Sequence, residues 1–152
     1  MYTEIVVDAS VCVSWLYPQD VNHAASRLWI ERFFLKDGIL IVPVLLLIEV
    51  AAAISRRKGD PLLVKTAIGN LESASAIQTI KLIPLDDALV QKAVEVATNL
   101  QLRAGDAVYV ALANQLNFPL VSWDKEQLAK ASTIVTTYTP DSYPFEEDTE
   151  EV

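Results

Sequence analysis

Short continuous apolar runs alternate along this chain with longer stretches in which apolar residues recur every three or four positions. The first run, Ile5-Val6-Val7, lacks polar alternation, as expected of a central strand buried on both faces. Asp8 ends it, and Ser10 to Leu16 reads as a short helix stopped before Pro18. From about Val21 to Lys36, the residues Ala25, Leu28, Trp29 and Arg32 fall at helical spacing, and Asp37-Gly38 signals a turn. Ile39 to Val42 is the second strand, and a helix is expected from Pro43 to Lys58. Pro61 opens another helix to about Ala74, and Ile77 to Ile83 reads as a third strand. Asp86 to Leu100 is amphipathic, with Leu89, Ala93, Val96, Ala97 and Leu100 on one side. Ala104 to Asp124 then reads as helix, turn and buried strand. Asp106, Tyr109, Val110 and Ala113 share a helical face, Asn117-Phe118-Pro119 breaks it, and Leu120-Val121 runs on towards Asp124. A helical turn around Lys125 to Lys130 and a strand at Thr133 to Thr136 complete the pattern.

Strands alternating with helices predict an α/β fold, a parallel sheet with helices on both faces. Ligands of such sheets bind outside the carboxyl ends of the strands. Asp8 lies at one such end and Asp124 at another. A helix of about eleven residues descends ~17 Å and a strand of about five climbs back as far, so Asp106 and Asp124 return to one edge. Glu49 stands roughly 9 Å down the helix after the second strand, within reach of that edge for its longer side chain. Ser122, two residues before Asp124, points the same way if the backbone is extended.

Capping offers a simpler account of the three aspartates, each at an expected helix start, where an N-cap is worth ~1 kcal/mol. Glu49 has no such account. It is the one charge in ILIVPVLLLIEVAAAI, and a buried carboxylate needs a cation or an ion-pair partner such as Arg103. Carboxylates ~4 Å apart repel by about 4 kcal/mol per pair at an effective dielectric near 20, which a divalent cation removes. With Cys12 the only cysteine and His23 the only histidine, an internal disulfide, a Cys/His zinc site and Ser-His-Asp hydrolysis are excluded. A hard cation such as Mg²⁺ or Mn²⁺ remains, and phosphodiester hydrolysis is chemistry it serves without histidine.

At 152 residues, 52% of them hydrophobic, the chain can build one sizeable core. Its most apolar run, Ile39 to Ile54, is cut by Pro43 and Glu49 and is too short to span a bilayer, which takes ~20 residues. The start lacks a signal-peptide pattern, so a cytoplasmic location is expected. The net charge of −8 is unevenly spread: of 20 acids, Asp141, Glu146, Glu147, Asp148, Glu150 and Glu151 lie in a baseless stretch after Pro140, leaving 14 against 12 bases. Residues 140–152 are therefore expected to form an acidic flexible tail on a nearly neutral body, residues 1–139.

The segments VVDAS with Asp8, LLLIEVAAAI with Glu49, LRAGDAVYVALA with Asp106 and LVSWD with Asp124 together resemble the PIN-domain ribonucleases. Among these the chain is most similar to the VapC-type toxins of toxin–antitoxin pairs, over residues 4 to about 137. The resemblance implies a three-layer α/β/α sandwich around a parallel sheet of about five strands. It implies Asp8, Glu49, Asp106 and Asp124 as ligands of Mg²⁺ or Mn²⁺, and RNA cleavage by a metal-activated water. Ser122 would orient water or the metal's surroundings, and Glu126 stands near a further acid of the family. A homodimer and a small antitoxin protein are the implied partners. Arg103 and Lys125, beside Asp106 and Asp124, are candidate RNA contacts. Arg56-Arg57-Lys58 is expected at a helix end away from the acidic edge, satisfying the macrodipole, and Trp123 is expected to face away from the site. Two other readings remain: a non-catalytic PIN-fold interaction module, and a Mg²⁺-dependent phosphatase or phosphotransfer domain, against which Asp8-Ala9-Ser10 lacks a paired D-x-D.

Overall fold

A computed structural model describes residues 2–58 and 60–146. Its five strands are β1 (Glu4–Val7), β2 (Ile39–Pro43), β3 (Ile80–Ile83), β4 (Leu120–Val121) and β5 (Thr137–Tyr138), in the order β3-β2-β1-β4-β5. Every pairing is parallel. Ile5, Val6 and Val7 of β1 are all fully buried, and successive strand residues point to opposite faces, so helices cover both sides of the sheet. These are α1 (Ala9–Leu16), α2 (His23–Leu35), α3 (Leu45–Lys58), α4 (Pro61–Ala76), α5 (Asp87–Leu100), α6 (Ala104–Leu116) and α7 (Lys125–Ala131). Helix α6 packs across β1 and β2 with α5 outside it, while α3 packs against α1 and α4. The expected α/β architecture with a five-stranded parallel sheet is thus the observed one.

The chain builds outward from β1 through β2 to β3, then returns to lay β4 on the other side of β1. The switch in direction falls between β1 and β4, where a parallel sheet opens a crevice at its carboxyl edge. Val7 pairs with Val121 there, and the Asp8 amide donates to the Val121 carbonyl at 3.0 Å. The turn into β4 is made by Asn117, which caps α6 in the left-handed conformation (φ 57°) that asparagine tolerates better than most residues.

Three boundaries differ from expectation. The last strand lies at Thr137–Tyr138 rather than 133–136, because the amides of Ile134 and Val135 both fold back onto the Ala131 carbonyl and prolong the turn after α7. Helix α4 runs on to Ala76, which delays β3 to Ile80. Pro43 ends β2 opposite Ile83 instead of opening α3, a strand-end position where proline's missing donor costs little.

Residues 140–146 lie against α2. Tyr143 is 7% exposed, and its ring meets those of Trp29, Phe33 and Tyr138 edge-on, with centroids 5.7, 6.2 and 5.3 Å away. The Arg32 guanidinium sits 4.3 Å above the Phe145 ring. The tail boundary expected at residue 139 therefore falls inside packed chain, and the rest of the expected tail, 147–152, lies outside the described residues. Tyr143→Ala should lower unfolding free energy in urea by about 3 kcal/mol, as for other buried aromatic truncations. A change below ~0.5 kcal/mol would mean this segment contributes no packing.

Candidate active site

The four acids reach the carboxyl edge by different local arrangements. Asp8 follows β1 and N-caps α1, accepting the Ser10 amide on Oδ2 at 2.9 Å. Asp124 follows β4 and N-caps α7, accepting the Gln127 amide on Oδ1 at 3.1 Å. The capping account is thus correct for both, but it occupies one oxygen of each. Asp106 is no cap: Arg103 holds that position in α6 without a side-chain bond, and Asp106 sits in the first turn, where the macrodipole favours an anion. Glu49 projects from the second turn of α3.

Asp8, Glu49 and Asp106 line one cleft of about 500 Å³, together with Asp20, Arg56 and Trp123. Asp124 is not on it. It borders a recess of about 30 Å³ beyond Asp106, shared with Arg103 and Glu126. Asp106 therefore joins the two spaces, and both Asp8 and Asp124 act on it electrostatically.

Burial, then the charges of Asp8 and Asp106, push the Glu49 carboxyl up to about 7, while the Tyr109 phenol offsets part of the rise. Glu49 Oε1 and the Tyr109 hydroxyl are both buried, and among the described residues neither makes a hydrogen bond of good geometry, the phenol lying near enough to Glu49 only to offset part of its shift. The alternative account of Glu49, an ion pair with Arg103, does not hold; Arg103 stands 3.9 Å from Asp106 instead, with its side chain 86% exposed. Asp106 is raised too, by burial and then by Asp8 and Asp124, with Arg103 pulling the other way.

These residues fit a hard divalent cation. The donors are all oxygen, Glu49 Oε1 is buried and orphaned, and the crowded negative charge has little to offset it. At Gly105 an added Cβ would stand 3.4 Å from Glu49 Oε2, so glycine keeps the space beside that carboxylate open. Among the described residues no three acidic, histidine or cysteine side chains stand close enough together to hold a metal ion as they are, so binding one would draw the acids inward against their mutual repulsion.

Sequence reasoning missed Gln127, which is 1% exposed and ties the site together. Its Nε2 donates to Asp8 Oδ1 at 3.1 Å and to the Asp106 carbonyl at 3.3 Å, and its Oε1 accepts the Ser122 hydroxyl at 2.8 Å. A signal was present: Asp124-Lys125-Glu126-Gln127 has capping-box spacing. Here the glutamine does not turn back to the Asp124 amide, because Ser122 Oγ accepts that donor at 3.0 Å. Ser122 is itself fully buried and lies 3.3 Å from Ser10 Oγ.

Three residues expected elsewhere line the cleft. Trp123 does so with its amide donating to Ser10 Oγ at 3.1 Å and its indole N–H to Ser26 Oγ at 2.8 Å. Arg56 and Arg57 do so because the cleft runs lengthwise along α3 rather than stopping at the sheet edge. Arg103, Lys125 and Glu126 are exposed and outside it, Glu126 pairing with Lys130 at 2.9 Å.

A family model of the PIN domain matches residues 5–132. The chain belongs to the PIN domain family. This family is one of nucleases, and among solved structures the PIN domain described here is similar to VapC-type toxins. The Sarcin-Ricin loop cleaving toxin VapC20 of Mycobacterium tuberculosis matches with a TM-score of 0.64 at 16% identity, over 82% of this chain and 93% of that one. A toxin–antitoxin complex from Klebsiella pneumoniae gives 0.64 at 14% identity, over 93% and 99%. FitAcB from Neisseria gonorrhoeae gives 0.63 at 17% identity, over 91% and 99%. Comparison with curated protein sequences gives no match.

Two consequences follow for this PIN domain. Glu49 binds its proton more tightly folded than unfolded, so between its ordinary value and about 7 the folded state holds more protons. The metal-free protein should therefore gain stability as pH falls from about 8 to about 5, and Glu49→Gln should flatten that profile; a rise in stability with pH would contradict it. Gln127→Ala leaves a buried Asp8 oxygen and the Ser122 hydroxyl without their partner, and should cost about 1–3 kcal/mol in chemical denaturation.

Proposed function

We propose that this PIN domain is a divalent-metal-dependent endoribonuclease, the toxin of a toxin–antitoxin pair. The observation that carries the reading is the meeting of Asp8, Glu49 and Asp106 in an open cleft, with one Glu49 oxygen buried and unpartnered. Asp8, Glu49 and Asp106 would hold Mg²⁺ or Mn²⁺ from the cleft side, and Asp124 would contribute from beyond Asp106. When bound, such an ion supplies charge neutralisation at the phosphodiester and lowers the pKa of water. Gln127 keeps Asp8 Oδ1 aimed by a fixed hydrogen bond, and Ser122 positions Gln127 in turn. A buried, satisfied amide of this kind does not compete for the cation, so it orients the carboxylate without consuming charge. Arg103 and Lys125 flank the site as exposed cations for RNA.

An RNA substrate is supported by the likeness to VapC20, named a Sarcin-Ricin loop cleaving toxin, and an antitoxin by the likeness to a toxin–antitoxin complex. A homodimer would cover exposed apolar side chains such as Val90 and Val94, one turn apart on α5, which are 47% and 62% exposed. Among the described residues no helix is long and apolar enough to cross a membrane, and a cytoplasmic location fits a cellular RNA substrate.

Calorimetry with Mn²⁺ should show saturable binding that weakens at least about tenfold in Asp106→Asn. Cellular RNA incubated with the full chain and Mg²⁺ or Mn²⁺ should be cut, with cutting abolished by EDTA and reduced at least about 100-fold in Asp8→Asn or Glu49→Gln. Equal metal binding in wild type and variant, or cleavage indifferent to EDTA, would sink this reading.

A further inference from the structure

The cleft does not end at the carboxylates. Its α3 wall carries Glu49, Ala52, Ala53 and Arg56 at i, i+3, i+4 and i+7, a single stripe along the helix. Arg56 stands about 10 Å along the axis from Glu49, and Arg57 joins it at the far end. The two alanines between them leave the wall low. Arg57 is held in place by an ion pair with Asp20, and its guanidinium lies 5.4 Å from the centre of the Tyr17 ring. Arg56 is exposed and has no ionic or hydrogen-bonding partner among the described residues. Trp123 borders the same space, tethered at its backbone and indole N–H groups. Those bonds fix the ring, which packs in part against the core, so the portion bordering the cleft is what it has left to offer a ligand.

We infer that the cleft is a track for a single strand of RNA, in which Arg56 and Arg57 take a phosphate neighbouring the scissile one and Trp123 stacks on a nucleobase. The inference rests on the nuclease reading above and assigns the substrate path of that same site. Cations that follow a backbone, alongside an aromatic face, are the combination by which proteins hold single strands without reading their sequence. At about 500 Å³ the cleft has the size of a small-molecule pocket. That is room for the base and phosphate groups of one strand, whereas an A-form duplex is recognised across its broad minor groove and phosphates. The overall charge does not oppose this path. With a divalent cation bound, that ion together with Arg56 and Arg57 balances Asp8, Asp20, Glu49 and Asp106 in the cleft.

The test is anisotropy of a fluorescein-labelled oligouridylate bound to the full chain over a range of salt concentrations, with Ca²⁺ replacing Mg²⁺. Arg56→Ala and Arg57→Ala should each weaken binding and flatten the slope of log K against log salt by about 0.7. Asp20→Asn, which frees Arg57 but keeps the Oδ1 that accepts the Asn22 amide at 2.8 Å, should tighten binding; a purely structural ion pair would give the opposite sign. Trp123→Ala should weaken binding about tenfold, while Trp123→Phe, which keeps a ring but not the N–H, should stay near wild type. Wild-type binding with unchanged slopes in both arginine variants overturns the track and leaves the nuclease reading standing. No binding by the wild type also overturns the track, and the EDTA-controlled cleavage assay then decides whether the nuclease reading falls with it.

Discussion

Like-charge crowding at the switch point of the sheet is the constraint on which the rest of this structure depends. Asp8, Glu49 and Asp106 share one cleft, Asp124 presses on Asp106 from beyond it, and the cation paired with Asp106, Arg103, is mostly exposed and 3.9 Å away. Burial compounds the repulsion, and Glu49 consequently holds its proton up to about 7. A fold selected only for stability would not keep such an edge, because a buried and unpaired carboxylate is among the costlier features a core can contain. The cost is carried by an apolar frame. Strand β1 is fully buried from Ile5 to Val7, and Tyr109, Val110 and Ala113 of α6 are buried completely. Strain concentrated at one site and supported by packing elsewhere is the ordinary pattern of a functional centre.

The polar groups around the acids are arranged selectively. Asp8 is pinned through both oxygens, by the Ser10 amide and by Gln127, whose own carbonyl is satisfied by Ser122. A second chain runs from the Trp123 indole to Ser26, then to Ser14 at 2.6 Å, and ends on the Val11 carbonyl at 2.9 Å. Both chains converge on residues 122–124, so the loop after β4 is rigid on two sides. Glu49 receives no such support: its Oε1 is left open beside Tyr109, and Gly105 leaves room at its Oε2. The contrast separates a carboxylate aimed in advance from one held available.

Along α3 the cleft changes character, from acid at Glu49 through two alanines to Arg56 and Arg57. One helical stripe therefore presents both the charge that a cation needs and the charge that a phosphate backbone needs, about 10 Å apart. The net charge of −8 hides this, because a third of the acids lie in the final stretch of the chain rather than around the cleft. Placement of charge, rather than its sum, decides what such a protein can hold.

Much of the fold was readable from local pattern. Apolar runs such as Ile5-Val6-Val7 and the helical spacing of Asp106, Tyr109, Val110 and Ala113 carry their own period, and alternation of strands with helices leaves little choice but a parallel sheet. Element lengths alone returned Asp106 and Asp124 to one edge, and the single histidine and cysteine narrowed the chemistry to oxygen donors. The short strand β5 was misplaced because two residues contain no period, and only pairing with β4 selects Thr137 and Tyr138. Gln127 was invisible for a related reason: its partners Asp8 and Ser122 lie 119 and 5 residues away, and only the closed fold aims one amide at both. Tyr143 looked like part of a polar tail until α2 supplied two rings and β5 a third to pack against. The direction of the cleft, which put Arg56, Arg57 and Trp123 on it and Asp124 off it, depends on how α3, α6 and the loop after β4 meet. Periodicity is a property of neighbours in the chain and can be read there; which surfaces face one another is set by packing between elements, and only the tertiary structure decides it.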